Sequence, residues 1–352
     1  MPFRIPVSRP SLDGTELAYA TETIGEGWIS SQGPYVQRFE RAFAEWNGSA
    51  HGVACSSGTA ALTLALRALG IGPGDEVIVP EFTMVASAWA VTYTGATPVF
   101  VDCGDDLNID VRRIEEKISP RTKAVMPVHV YGRSCDMDAL MDLARQYNLR
   151  VVEDSAEAHG IRPAGDITCY SLFANKIITS GEGGICLTDD PHLAWQMAHL
   201  RGMAFSPEHN FIHRKLAYNF RMTAVQAAIA LAQTERLDGI LATRRAIEQR
   251  YDQGLKDVPG LTLMPPRDVL WMYDVRAERR TELREHLDAQ GIETRLFFQP
   301  MSRQPGYYDA GWPELNASRF AADGLYLPTY TDLGPAEQDQ VIEQVRAFYG
   351  VA

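Results

Sequence analysis

Apolar residues along this chain fall into two alternating patterns. In TAALTLALRALG (59–70) they are dense enough for a buried helix, stopped by Gly70, and in GPGDEVIVPEF a turn leads into a short apolar strand. ATPVFVD (96–102), TKAVMPVHVYG (122–132) and NLRVVEDSAEA (148–158) are further β-branched runs, and the amphipathic stretch MDALMDLARQY lies between the last two. Strands alternating with helices predict an α/β fold whose sheet is largely parallel and covered on both faces. Asp154 follows the run RVV, at the carboxyl end of a strand, where open α/β sheets bind their ligands. After about residue 224 the pattern changes to long helical stretches, beginning with AVQAAIALAQTERLDGILATRRAIEQRYDQGL. The tail mixes a strand-like LWMYDVR with two helical patterns, TELREHLDAQG and AEQDQVIEQVRAFYG. This predicts a linking helix followed by a smaller α+β domain.

Composition narrows the function. A length of 352 residues suits one large domain with a smaller companion. The net charge of −12 and the lack of any lysine or arginine run argue against nucleic acid or an anionic membrane as partner. A few local arginines still suffice for an anionic small substrate. The five cysteines are widely spaced, with no CxxC pair and no metal-ligand spacing with the eight histidines, so the expected compartment is the cytoplasm. The opening MPFRIPVSRPSLDG lacks an apolar signal core, and no run of eighteen apolar residues occurs, so neither secretion nor membrane spanning is expected.

Four clusters of polar residues carry candidate chemistry. In SSGTAAL (56–62), Ser57 and Thr59 precede a helix, which makes either an anion site or an ordinary N-cap. EDSAEAHG (153–160) puts two carboxylates after an apolar strand, readable as a solvated edge, a metal site or a buried counter-ion for a cationic heterocycle. SLFANKIITSGEGG (171–184) sets Lys176 between an apolar run and a glycine loop, where it either reaches solvent or serves as a reactive amine. In YNFRMTAVQAA (218–228), Asn219 stands before an apolar helix and reads by itself as a turn residue.

In this order, SSGTAAL, VPEFTMVASAWAV with TGATPVFVD, VVEDSAEAHG, SLFANKIITSGEGG and YNFRMTAVQAAIALAQ resemble the sugar aminotransferase family known as DegT/DnrJ/EryC1/StrS, of pyridoxal-phosphate fold type I. The resemblance extends through GIETRLFFQPMSRQPGY in the tail. It implies a large cofactor-binding domain (1–235) with a mostly parallel, seven-stranded sheet, and a smaller α+β domain (236–352). It also implies pyridoxal 5'-phosphate as cofactor, cycling through pyridoxamine 5'-phosphate in a ping-pong reaction. By the same resemblance Lys176 forms the internal aldimine and shuttles the proton, and Asp154 faces the pyridine nitrogen. The phosphate is expected on Ser57, Gly58, Thr59, Ala60 and Ser171, with Asn219 arriving from the neighbouring subunit of a homodimer with shared active sites.

Two positions depart from the family's commonest pattern. Met84 stands where many members stack an aromatic ring on the cofactor, and Glu157 stands where many have glutamine near the ring oxygen. The family transfers an amino group from L-glutamate to a nucleotide-linked keto sugar, and FTMVAS, WMYDVR and ETRLFFQPM most resemble the perosamine-synthase type, which aminates a 4-keto-6-deoxyhexose. Keto-octulosonates and cyclitol ketones are alternative acceptors. Arg295 and the cluster His213, Arg214 and Lys215 are candidates for holding anionic groups, or are exposed basic surface. A pyridoxal-phosphate dehydratase or lyase and a non-enzymatic cofactor-binding regulator are the competing functions. A dehydratase branch has histidine at the lysine position, so Lys176 favours amino transfer.

Overall fold

The computed structural model describes residues 3–206, 211–308, 311 and 315–351. Helices α1 (Glu16–Gly25) and α2 (Pro34–Asn47) precede an alternating series: β1 (His51–Cys55), α3 (Gly58–Ala68), β2 (Glu76–Pro80), α4 (Val85–Tyr93), β3 (Thr97–Val101), β4 (Thr122–Val125), α5 (Met137–Tyr147), β5 (Arg150–Asp154), β6 (Ile167–Ser171), β7 (Gly184–Thr188) and α6 (Pro191–Arg201). Helices α7 (Ala224–Glu235) and α8 (Leu237–Leu255) lead to β8 (Leu261–Leu263), β9 (Tyr273–Ala277), α9 (Arg280–Ala289), β10 (Arg295–Leu296), α10 (Asn316–Asp323), β11 (Gly324–Leu327) and α11 (Pro335–Phe348).

The first series builds a seven-stranded sheet in the order β1-β7-β6-β5-β4-β2-β3. Strands β2 to β6 run parallel, and β7 is antiparallel to both β1 and β6. Every residue of β2, β6 and β7 is buried, so these strands show no alternation of inward and outward faces, and the run read in EVIVP is apolar on both sides. Local chemistry agrees with the global fold: Ser57 caps α3 by accepting from the Ala60 N–H, Asp136 caps α5, and Asn148 ends α5 in the left-handed conformation. The tail forms a four-stranded antiparallel sheet, β10-β11-β9-β8. Among the described residues no helix is long and apolar enough to cross a membrane.

Three details differ from the pattern read in the sequence. The single linking helix is two, because Arg236 leaves helical geometry (φ −112°, ψ 9°) and ion-pairs with Asp13 and Glu16 near the chain start. The run 122–132 is a strand only as far as Val125; Pro127 lies just beyond the strand end, and Tyr131 takes up the left-handed region at φ 55°. The opening residues are shared between two cores: Ile5 pairs with Ile292 and belongs to the core beneath the four-stranded sheet, whereas Val7 packs with Tyr35, Phe39 and Phe43.

The two sheets are joined by a buried ionic clamp. Asp274 on β9 is fully buried and accepts from Arg133 Nη2 at 3.1 Å and from Arg267 Nε at 2.6 Å, while Arg267 also reaches Glu248 at 3.0 Å. Burial alone would push the Asp274 carboxyl up, but the two guanidinium groups more than offset it and hold the carboxyl below its usual range. Backbone bonds reinforce the joint, since Gly132 O accepts from both the Asp268 and Val269 N–H groups. Gly132 must be glycine: its φ is +84°, and a Cβ would lie 1.9 Å from Val269 O. Replacing Asp274 by alanine strands buried guanidinium charge, and we expect urea denaturation to show a loss of about 3–5 kcal/mol. A change within about 0.5 kcal/mol, the range of a surface substitution, would mean that the clamp does not join the domains.

Candidate active site

The carboxyl ends of β1, β5 and β6 point the same way, because β7 reverses between β1 and β6. Outside those ends lies a cleft of about 460 Å³. Ser57, Gly58 and Thr59 line it from the start of α3, Asp154 from the last residue of β5, and Ser171 from the last residue of β6. Met84, Glu157, Lys176 and Arg295 complete the predicted residues that line it. Ala60 sits one step behind, its N–H committed to Ser57 Oγ at 3.1 Å.

The start of α3 has the features of a phosphate cradle. First-turn N–H groups have no carbonyl partner four residues back in their own helix, and the helix dipole favours an anion there. The backbone is brought close to its neighbours by absent side chains. A Cβ on Gly58 would lie 2.8 Å from Ser171 Cβ, and one on Gly184 would lie 2.4 Å from Ser57 O. Ser171 and Gly58 are therefore in direct contact across the cradle, on β6 and α3.

Strand alternation separates the two adjacent carboxylates that the sequence left ambiguous. Glu153 points into the protein, where it accepts from Thr168 Oγ1, from the Ala164 and Gly165 N–H groups, and from His129 Nε2 at 2.9 Å. Because the Cys135 N–H donates to His129 Nδ1, it is Nε2 that carries the proton donated to Glu153. Burial opposes the Glu153 charge, but His129 and the backbone donors outweigh it and the carboxyl is lowered. Asp154 points into the cleft and accepts from Ser87 Oγ at 2.8 Å and from the Ala156 N–H at 3.1 Å. Burial raises its affinity for a proton, and these donors together with Lys176 only partly counter that. A buried carboxylate in this state is suited to meet a cationic ring N–H.

Lys176 is largely enclosed, with only 11% of its side chain accessible. Its Nζ lies 3.3 Å from Glu157 Oε1 and 4.4 Å from the centroid of the Trp271 ring. Trp271 is fixed in turn by donating from Nε1 to Asn175 O at 2.8 Å, on the residue next to the lysine. Glu157 is buried and accepts the Tyr131 N–H on Oε2 at 3.1 Å. Burial pushes its carboxyl up; Lys176 and the Tyr131 N–H pull it down, and Asp154 adds to the upward push.

The remaining predicted residues lie elsewhere. His213, Arg214, Lys215 and Asn219 are all exposed and line no part of this cleft. His213 packs against Phe205, and Lys215 donates to Gln196 at 3.2 Å. Arg295 is at the cleft mouth, 3.6 Å from Glu293. Sequence reasoning missed Ser87, Tyr131 and Trp271, which had read as helix or strand residues. The tryptophan in LWMYDVR was the one available signal, since a tryptophan N–H inside a core needs a partner.

The seven-stranded α/β fold is that of the pyridoxal-phosphate-dependent aminotransferases, and its cleft brings together a largely enclosed lysine, a buried aspartate at a strand end and a helix start. The chain belongs to the DegT/DnrJ/EryC1/StrS aminotransferase family, whose sequence profile matches residues 10–346. It is 46% identical to the GDP-perosamine synthase of Caulobacter vibrioides over 358 residues, covering 96% of each chain. It is 40% identical to the GDP-perosamine synthase of Escherichia coli O157:H7, covering 98% of each. Among solved structures, Streptomyces venezuelae DesV in complex with a ketimine intermediate superposes with a TM-score of 0.89 at 38% identity, over 96% of this chain and 95% of that one. The family uses pyridoxal phosphate, and the cradle, Asp154 and Lys176 fit its phosphate, ring nitrogen and aldehyde carbon in chemical kind.

The close contact of Gly58 with Ser171 gives a direct test of the cradle. Gly58→Ala should weaken pyridoxal phosphate binding by about tenfold or more in an absorbance titration of the apoprotein, with the circular dichroism of the fold unchanged. Unaltered affinity would place the phosphate elsewhere.

Proposed function

We propose that this protein transfers the amino group of L-glutamate to a nucleotide-linked 4-keto-6-deoxyhexose, with GDP as the favoured nucleotide, and that it does so in the cytoplasm. The observation that carries the reading is the largely enclosed Lys176 amine, held between Glu157 and Trp271 in the same cleft as Asp154. Near full-length likeness to two GDP-perosamine synthases supports the acceptor class.

When bound, the cofactor supplies an electron sink for the carbanion left by proton removal. The residues of the chain do the rest. Lys176 Nζ takes the proton from the substrate carbon and returns it one position along, a role that needs an amine close to the reacting atoms and shielded from water. Asp154, anchored by Ser87, would hold the ring nitrogen in its cationic form. Ser57, Gly58, Thr59 and Ser171 would hold the phosphate through neutral donors, and Arg295 at the mouth would meet a carboxylate or phosphate of a substrate. In this reading residues 1–235 hold the cofactor, and residues 236–352 supply the opposing wall.

We assign the last phosphate contact to Asn219 of a second protomer. Its exposure outside the cleft of its own chain supports this, as does the run of exposed apolar side chains nearby, Met203, Phe205, Phe211, Ile212 and Leu216. Mixing Lys176→Ala chains with Asn219→Ala chains should regenerate one intact site per mixed dimer. Activity should recover to about a quarter of wild type after random reassortment, the value expected when half the dimers are mixed and each has one good site. No recovery would confine every site to one chain.

The function is tested by the visible spectrum of the purified protein with L-glutamate and no sugar. The yellow band should bleach to that of the pyridoxamine form while 2-oxoglutarate accumulates in equal amount, and Lys176→Ala should do neither. A band that glutamate leaves unchanged would exclude this donor and turn attention to a lyase.

A further inference from the structure

Lys176 has a partner that can hold a proton, where the commoner glutamine at that position could not. The Glu157 carboxyl is shared between two donors. Oε2 accepts the Tyr131 N–H at 3.1 Å, which leaves Oε1 facing Lys176 Nζ at 3.3 Å. Tyr131, which gives this N–H, has a backbone at φ 55° and ψ 28°, a conformation that costs a bulky residue strain and marks a constrained site. Its ring is locked among Phe82, Trp271, Phe298 and Tyr326, and its hydroxyl accepts from the Phe298 N–H at 3.2 Å. The next residue, Gly132, is tied to Asp268 and Val269. The protein thus holds a carboxyl rigidly against Lys176, the one lysine lining the cleft among the described residues.

We propose that Glu157 is the proton partner of Lys176, taking up the proton that Nζ releases and giving it back when the amine must be charged. The inference rests on the role given to Lys176 above. In the step, one N–H bond of the ammonium breaks and an O–H bond forms at Oε1, so an ammonium–carboxylate pair becomes an amine and a carboxylic acid. Net charge is zero on both sides, which suits a site where unpaired charge is costly. The groups facing Glu157 are Lys176, Asp154 and the phenols of Tyr131 and Tyr326. Of these, Asp154 is the second acid, and its negative charge makes the protonated form of Glu157 easier to reach. Burial acts in the same direction.

Glutamine fills the same space and can still accept from Tyr131 and Lys176, but it cannot take the proton. The test uses Glu157→Gln beside Glu157→Asp, which keeps a carboxyl. In apoprotein, modification of Lys176 by an amine-acylating reagent, located by peptide mass, is followed against pH. In Glu157→Gln the midpoint should fall by about one pH unit, a tenfold change in proton affinity, because the ammonium has lost its counter-charge, and Glu157→Asp should restore most of the difference. In holoenzyme, the glutamate half-reaction of Glu157→Gln should slow by about tenfold and shift in pH, with the cofactor still bound. Coincident midpoints for wild type and Glu157→Gln, or an unshifted half-reaction profile, would overturn the proposal. The apoprotein measurement needs neither cofactor nor substrate, so it reads the pair even if the assigned activity proves wrong.

Discussion

A cationic amine taken out of water must be compensated, and most of the cleft can be understood from how Lys176 is compensated. The ammonium faces a carboxylate on one side and the indole face of Trp271 on the other. Each of these depends on further structure. Glu157 accepts the Tyr131 N–H, and Tyr131 itself sits in the left-handed region. A left-handed residue costs about 1–2 kcal/mol and a hydrogen bond to a charged group contributes about 1.5–3 kcal/mol, so the bond offsets the strained turn with little to spare. Gly132 and Arg133 hold it by fastening this turn to Pro265, Asp268 and Val269 in the loop before β9 and to Asp274 on β9. The clamp between the two sheets and the setting of the lysine are thus connected through the turn at residues 131–133.

The same economy of position appears in the strand that ends at Asp154. Two neighbouring carboxylates on a strand must point to opposite faces, so a single EDS sequence serves two purposes. Glu153 saturates its oxygens inside the protein with four donors and anchors the turn at residues 164–165. Asp154 keeps fewer donors and stays available. The difference in their proton affinities, one lowered and one raised, follows from that count and needs no special feature of either residue.

Much of this was legible in the sequence. The strands β2, β3 and β5, the helices α3 and α5 and the alternation of the first domain follow from apolar runs and caps, and Lys176, Asp154, Ser57 and Ser171 were marked by motifs at strand ends. What escaped depends on contacts between segments far apart in the chain. Nothing around YDVRA shows that Asp274 will be buried between arginines at 133 and 267, and nothing in MPVHVYG shows that Tyr131 will turn left-handed beside Glu157. Helix α7 was expected to run on through α8, because both halves have helical patterns; the break at Arg236 comes from ion pairs with Asp13 and Glu16, more than two hundred residues away. The basic cluster 213–215 looked like a site residue set because charge is visible in sequence, whereas its position outside the cleft is not.

The balance of charge in the cleft gives a physical reason for what it accepts. One ammonium faces two buried carboxyls, Glu157 in contact and Asp154 beyond it, and burial drives both carboxyls toward the protonated state. A ligand that brings a cationic ring N–H to Asp154 relieves that conflict, because Asp154 then has its own partner and Lys176 is left to Glu157 alone. At the other end, the start of α3 offers N–H groups and hydroxyls without a cation among Ser57, Gly58, Thr59 and Ser171, so a phosphate there would depend on the helix dipole. A molecule with a positive ring nitrogen and a phosphate matches both ends at once. A neutral or purely anionic ligand would leave the Asp154 end uncompensated, which is why the arrangement selects for the cofactor before any substrate contact is considered.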